Sequence, residues 1–261
     1  MHILVTNDDG VSAPSLLALA QAMRNLGKVT ILAPDRNWSV SGHVKTLDRP
    51  LRVEEVQLSD GSTAFASDGS PSDCVALALL GYVKDPIDIV VAGINPYPNL
   101  GYDLTYSGTV TAAMEAVILG KPGIAFSMES PKGTKEPVDY RLAGKIAAQI
   151  TRTVADNGLP SDILLNVNIP NPAPEDFESF QVTRQGKRIY RDKLVSRIDP
   201  MGRPYHWIGG DVPSGIPEKG TDIGALAAGH VSIMPIYLDL TAEHFIKELQ
   251  DWDWSNEKGE K

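Results

Sequence analysis

The residues with the most chemical potential stand near the start of the chain, where the apolar run HILVT (2–6) ends in Asn7, Asp8, Asp9 and Gly10. Two adjacent carboxylates at the end of a buried strand repel each other and lose hydration, so a positive partner is expected. A hard divalent cation, Mg²⁺ or Mn²⁺, meets that need through oxygen ligands. The plainer reading is that Asp8 or Asp9 caps the helix expected at residue 14, or shapes a turn. Ser39 in APDRNWSVSGH and Asn95 in GINPYPNLGYD offer neutral oxygens, although Ser and Asn in loops commonly bond only nearby backbone. Position joins the four. Each follows a stretch expected to be a parallel strand, so Asp8, Asp9, Ser39 and Asn95 can converge above one sheet.

A second group lies in YSGTVTAAMEAVILG, where Ser107, Gly108 and Thr109 open an expected helix. Small residues, free amides and the helix dipole suit a phosphate there, an ordinary Ser cap being the simpler alternative. Beside a metal site the segment reads as the phosphate end of a pocket. The chemistry would be metal-dependent hydrolysis of a phosphate monoester, with Asp8 and Asp9 as catalytic residues and Asp9 able to orient the attacking water. A covalent aspartyl-phosphate route stays open. His43, in the loop that carries Ser39, could contact phosphate or move a proton near neutral pH, or simply face solvent. A nucleotide-binding protein without catalysis is the rival class, since fold does not fix function.

Other chemistries lack their residues. No GxGxxG follows the first strand, and GxxxxGK[ST], GxSxG and HExxH are absent, which argues against dinucleotide cofactors, P-loop NTPases, serine hydrolases and zincins. The single Cys74 can form no internal disulfide. With 24 basic and 33 acidic residues the net charge is −9, which disfavours a nucleic-acid or anionic-membrane scaffold. The stretch 184–203 is the exception, carrying seven basic and two acidic side chains, and reads as a solvated hairpin. The chain starts without a basic signal-type region and has no apolar window of about 18 residues, so a soluble, cytoplasmic protein is expected.

The elements that must position these residues alternate. Residues 2–6, 28–33, 87–92, 122–127 and 163–169 are β-branched-rich runs of strand length, and helices are expected at 14–26, 70–82, 107–119 and 138–156. Strand, helix, strand in that order implies a parallel sheet with right-handed crossovers, a doubly wound α/β fold. RVEEVQL and TAFAS flank SDGS and predict an antiparallel hairpin or edge pair. After NIPNPAP come strand-like TRQGKRIYR, RPYHWIG and HVSIMPI, then a helix near 241–250 and a closing WSNEKGEK expected to fray. The division expected is a core over 1–170 and a β-rich extension over 171–261 containing a hairpin and a last helix.

Taken together, TNDDG, APDRNWSVSGH, DGSPSDCV, GIN with PNLG, YSGT, DPMGRPYHWIGG, GTDI and VSIMPI resemble the SurE survival-protein family, in order, over residues 1 to about 240. The resemblance implies a Rossmann-like three-layer sandwich with a mostly parallel sheet, and an extension that reaches a second subunit to give homodimers or homotetramers. It implies a divalent-metal-dependent 5′/3′-nucleotidase with one metal per subunit, acting on nucleoside monophosphates and in some members on short polyphosphate. It also implies that Asp8, Asp9, Ser39 and Asn95 ligate the metal and that Asn99, Ser107, Gly108 and Thr109 surround the phosphate. One residue departs from the family pattern: Tyr97 stands where the GIN loop usually has Gly, and Tyr permits neither φ > 0 nor close phosphate approach as easily as Gly does.

Overall fold

The computed structural model describes residues 1–130, 138–172 and 179–254. The chain runs β1 (His2–Thr6), α1 (Pro14–Met23), β2 (Lys28–Pro34), β3 (Val53–Gln57), β4 (Thr63–Ser67), α2 (Pro71–Leu77), β5 (Ile89–Asn95), α3 (Gly108–Ile118), β6 (Gly123–Met128), α4 (Arg141–Asn157), β7 (Ile163–Ile169), β8 (Phe180–Val182), β9 (Arg188–Ile198), β10 (Pro204–Gly215), α5 (Asp222–Ala227), β11 (Val231–Tyr237) and α6 (Glu243–Gln250).

Among the described residues nine strands form one sheet in the order β3-β4-β2-β1-β5-β6-β7-β11-β8. From β4 to β7 every neighbour is parallel; β3 pairs antiparallel with β4, and β11 antiparallel with β7. Adjacent residues of a strand face opposite sides, so Ile3 and Val5 meet α1 and α4 through Leu16, Leu19, Ile146 and Ile150, while Leu4 meets α2 and α3 through Val75 and Ala112. Both faces are covered, which is why the central strands read as continuous apolar runs. The architecture is the three-layer α/β sandwich expected.

Local signals place the helices. Pro14 begins α1, where a missing N–H costs nothing. Ser70 and Asp73 form a reciprocal capping box at α2, and Asp73 also accepts from the Thr46 N–H and hydroxyl, strapping the loop before β3 to that helix end. The edge pair from RVEEVQL and TAFAS is β3 and β4.

The C-terminal third differs from its sequence reading in two ways. Six-residue α5 is too short to show a helical period, so GTDIGALA gave no signal. In addition, β11 and β8 extend the main sheet, so a division at residue 170 does not coincide with the sheet's edge. The segment set apart is the β9–β10 hairpin, whose strands pair with each other and carry a bulge between Asp211 and Ser214. Part of its positive charge is locally paired, Arg188 with Asp103 at 2.8 Å and Arg203 with Asp199 at 3.1 Å. Helix α6 buries none of its residues. Residues 255–261, expected to fray, lie outside the described residues. Among the described residues no helix is long and apolar enough to cross a membrane.

Candidate active site

The chain leaves β1 for β2 on one side and later returns to β5 on the other, so connections above β1 and β5 diverge and leave a crevice at their carboxyl ends. Asp8 and Asp9 follow β1 at that crevice, and Asn95 is the last residue of β5. Buried Asn7 shapes the turn: its amide donates to the Gly10 carbonyl (3.0 Å) and its Oδ1 accepts the Gly10 N–H (3.2 Å). Gly10 sits at φ 102°, with Arg36 backbone 3.2 Å from where a Cβ would lie, so both conformation and space call for glycine. The Trp38 N–H donates to the Asp8 carbonyl at 2.7 Å, drawing the loop after β2 over the pair of acids.

Asp8 is held from the opposite side by the start of α3. The Thr109 hydroxyl donates to its Oδ1 at 2.6 Å and the Thr109 N–H to its Oδ2 at 3.2 Å, while the Ser107 hydroxyl caps the helix by accepting the Val110 N–H. Gly108 makes the approach feasible, because a Cβ there would stand 2.8 Å from the Asp8 Cβ. Burial pushes the Asp8 carboxyl above the usual range and the bonds from Thr109 and Gly108 only partly offset it. The amides expected to face a phosphate are thus turned onto a carboxylate of the chain itself.

Asp9 is less constrained. Its Oδ1 faces the Asn37 amide at 3.4 Å, and its Oδ2 is buried without a hydrogen-bond partner. Burial, and then the charge of Asp8 beside it, push its pKa up to about 6. An unsatisfied carboxylate oxygen next to a second, immobilised carboxylate fits a divalent cation, which would satisfy the one and neutralise both. Among the described residues no three His, Cys, Asp or Glu side chains gather as a metal set. A cation here would therefore complete its shell with neutral oxygens and water, the donor set of a hard ion.

The neutral candidates are differently placed. The Asn95 amide donates to the Tyr97 carbonyl at 2.5 Å, so its Oδ1 is the end left for a ligand. Ser39 is exposed, and its N–H donates to the Asn37 Oδ1 at 2.8 Å. Asn37 therefore bridges the Ser39 loop and Asp9. Val40, next in that loop, adopts φ 61°, a conformation costly for a β-branched residue.

Asn99 is buried and immobilised: its N–H donates to Asn168 Oδ1 (2.8 Å), its amide to the Ser127 hydroxyl (2.9 Å), and its carbonyl accepts from Asn166 and Asn168. Its polar atoms brace the loop after β5 against β6 and β7. His43 turns to the buried Glu115 of α3 at 3.0 Å, which Lys45 also meets at 2.6 Å. Burial raises the Glu115 carboxyl, but the bonds from His43 and Lys45 outweigh it and hold it below the usual range. His43 thus anchors its loop through Glu115.

Sequence reasoning missed Asn37, Glu115, Asn166, Asn168 and Asp222. Asn166 and Asn168 carried a usable signal, two polar residues at strand spacing inside the apolar run ILLNVNI. Buried Asp222 accepts the N–H groups of Gly101 and Gly186, each at 2.8 Å, tying the loop after β5 to the base of the hairpin. Asp103 does the same through Arg188 and the Tyr190 hydroxyl (2.6 Å).

Known proteins are similar to this chain over nearly its whole length. The family described as "Survival protein SurE" matches residues 3–192. A protein named 5′-nucleotidase SurE from Herpetosiphon aurantiacus is 52% identical over 256 residues, 98% of this chain and 100% of that protein. Another of the same name, from Geobacter sulfurreducens, is 47% identical over 98% of this chain and 95% of its own length. A crystal structure of the SurE protein from Aquifex aeolicus superposes with a TM-score of 0.79 at 39% identity, covering 96% of this chain and 98% of that one. Matched by that family model over residues 3–192 and by these relatives nearly end to end, the chain belongs to the SurE survival-protein family.

Proposed function

We propose that this chain is a divalent-metal-dependent phosphomonoesterase that hydrolyses nucleoside 5′-monophosphates, and 3′-monophosphates as a second substrate, to nucleoside and phosphate. The observation that carries the reading is the buried, unpartnered Oδ2 of Asp9 beside an Asp8 already fixed by Thr109. Its relatives' name, 5′-nucleotidase, supports the substrate class.

Asp8, Asp9, Ser39 and Asn95 would hold one Mg²⁺ or Mn²⁺ per subunit. When bound, such an ion supplies Lewis acidity toward the phosphate and acidifies water. The chain's own groups do the rest. Thr109 and Gly108 fix Asp8, so this ligand needs no reorganisation during the reaction. Asp9, ionised at neutral pH when its charge is compensated, orients the water for in-line attack. The Ser107 hydroxyl accepts from Val110 and retains its own proton to donate to a phosphate oxygen at the positive end of α3. Braced Asn99 keeps the loop after β5 in register with that end.

A homodimer or homotetramer joined through the β9–β10 hairpin, and a cytoplasmic location, complete the proposal; short polyphosphate is a further substrate to try. The test is phosphate release from nucleoside monophosphates by metal-stripped protein to which Mg²⁺, Mn²⁺, Ca²⁺ and Zn²⁺ are restored singly. Release with Mg²⁺ or Mn²⁺ is expected. Binding of nucleotide without release under every metal would instead make the chain a nucleotide-binding protein.

A further inference from the structure

The turn from Asn95 to Asn99 is fastened at both ends, yet it carries an aromatic residue in solvent. The Asn95 amide donates to the Tyr97 carbonyl, the Ser130 hydroxyl to the Pro96 carbonyl, and Asn99 is fixed by Ser127, Asn166 and Asn168. Pro96 and Pro98 restrict φ on either side of Tyr97. Every bond at Pro96 and Tyr97 runs through a backbone carbonyl, so the shape of the turn asks nothing of the Tyr97 side chain. That side chain is 69% exposed. A large ring held in water on an immobile backbone contributes little to folding, and a ligand that meets it need not order the turn.

Its location says which part of a ligand it would meet. The turn follows β5, whose last residue lies at the same crevice as Asp8 and Asp9. Half-buried Tyr140 stands just before α4. The Tyr140 hydroxyl is raised by burial and then by Asp9, with a smaller push from Tyr97, so the three share one electrostatic neighbourhood. Tyr97 is the member of that group with a free face.

We infer that Tyr97 is a nucleobase-recognition residue: its ring stacks on the base of a nucleoside monophosphate whose phosphate sits at Asp8 and Asp9, favouring esters with a planar aromatic group over aliphatic sugar phosphates. The inference rests on the phosphomonoesterase reading above. Offset stacking strengthens with ring area, so purine monophosphates rank above pyrimidine ones.

The experiment uses the full chain loaded with Mn²⁺ and compares AMP, CMP and ribose 5-phosphate for wild type, Tyr97→Ala and Tyr97→Phe. Replacement by Ala should lower the AMP to ribose 5-phosphate ratio of kcat/KM by about 5- to 100-fold, the range of one lost base stack. The loss should lie in KM, and Tyr97→Phe should restore the ratio. A second readout does not need turnover: adenosine, which has the base but no phosphate, should bind wild type and Tyr97→Phe in titration calorimetry and bind Tyr97→Ala more weakly. An unchanged ratio, a loss confined to kcat, or adenosine binding equal in all three proteins would overturn the inference while leaving the phosphatase reading intact. If wild type releases phosphate from none of the esters, the phosphatase reading fails and the adenosine titration alone judges Tyr97. A change of assembly state in Tyr97→Ala by light scattering would mean that the ring packs against another subunit, which also overturns it.

Discussion

At the crevice above β1 and β5, polar side chains are buried and held by other side chains, whereas along β9 and β10 large apolar side chains stand in solvent. Asp8 is 3% exposed and fixed by Thr109; Trp207 and Ile208 of the hairpin are 66% and 83% exposed, and Leu194, Ile198 and Met201 are similarly bare. Each region breaks the ordinary rule of apolar inside and polar outside, in opposite directions. Burying carboxylates is tolerable only when something stabilises their charge, which is the ground for the cation proposed at the crevice. Exposing a strip of aromatics and aliphatics on two paired strands is tolerable only when another surface covers it. The hairpin is nevertheless not loose at its base, because Arg188 and Tyr190 engage Asp103, and Gly186 engages Asp222, both attached to the loop after β5. The two regions are mechanically joined.

The sharpest way to break this comparison is at the carboxylates. Asp8→Asn or Asp9→Asn should lower phosphate release by at least about 100-fold, as expected on losing an anionic ligand. Near-normal turnover in either variant would remove the crevice from the chemistry. Next in size is Gly108→Ala, whose Cβ would press on Asp8 at 2.8 Å. Displacing that carboxylate by a fraction of an ångström should cost about 10- to 100-fold in kcat, read beside a circular dichroism spectrum that shows an intact fold.

The hairpin side is tested by replacing 191–211 with a short Gly/Ser linker, which keeps the anchors Arg188 and Tyr190. Light scattering should show a dimer or tetramer for the full chain and a smaller species for the variant. A monomeric full chain, or an unchanged assembly after replacement, would place the contact elsewhere and leave the exposed strip without its explanation.

The smallest effect is a pH dependence in metal-stripped protein. A carboxyl raised to about 6 binds its proton more tightly folded than unfolded. The associated stability is fully present below the unfolded value near 3.8 and is lost as pH rises through about 6. Wild type should therefore lose a few degrees of Tm between pH 4 and pH 7 relative to Asp9→Asn, at roughly 2–4 °C per kcal/mol for a chain of this size. Adding Mn²⁺ at pH 7 should close the gap by binding the folded state. Parallel Tm curves for the two metal-free proteins would show that Asp9 is not strained by its burial.

How much of this was legible in the sequence depends on how local the signal is. Alternating apolar runs and helix starts at Pro14, Ser70 and Ser107 marked the sheet, its helices and its parallel sense, because each rests on residues within a few positions of one another. Asp8, Asp9 and Asn95 were visible as strand-end residues for the same reason. Asn37 and Glu115 were not, since nothing near Asn37 points to Asp9, and Glu115 looks like any helix acid until His43 and Lys45 arrive from about seventy residues away.

The sequence by itself determined the order of strands and helices and the ends at which chemistry-bearing residues would emerge. Backbone hydrogen bonding and the hydrophobic period act over short spans and leave a pattern in the letters. Only the tertiary structure decided what those residues face. It turned the Thr109 N–H and hydroxyl onto Asp8, left one oxygen of Asp9 buried and unpartnered, and braced Asn99 with two asparagines of β7. It also brought β11 and β8 back to the main sheet and left β9 and β10 outside it. These outcomes depend on which distant groups are brought within about 3 Å of one another, and a hydrogen bond or a buried charge has no period for a sequence to display.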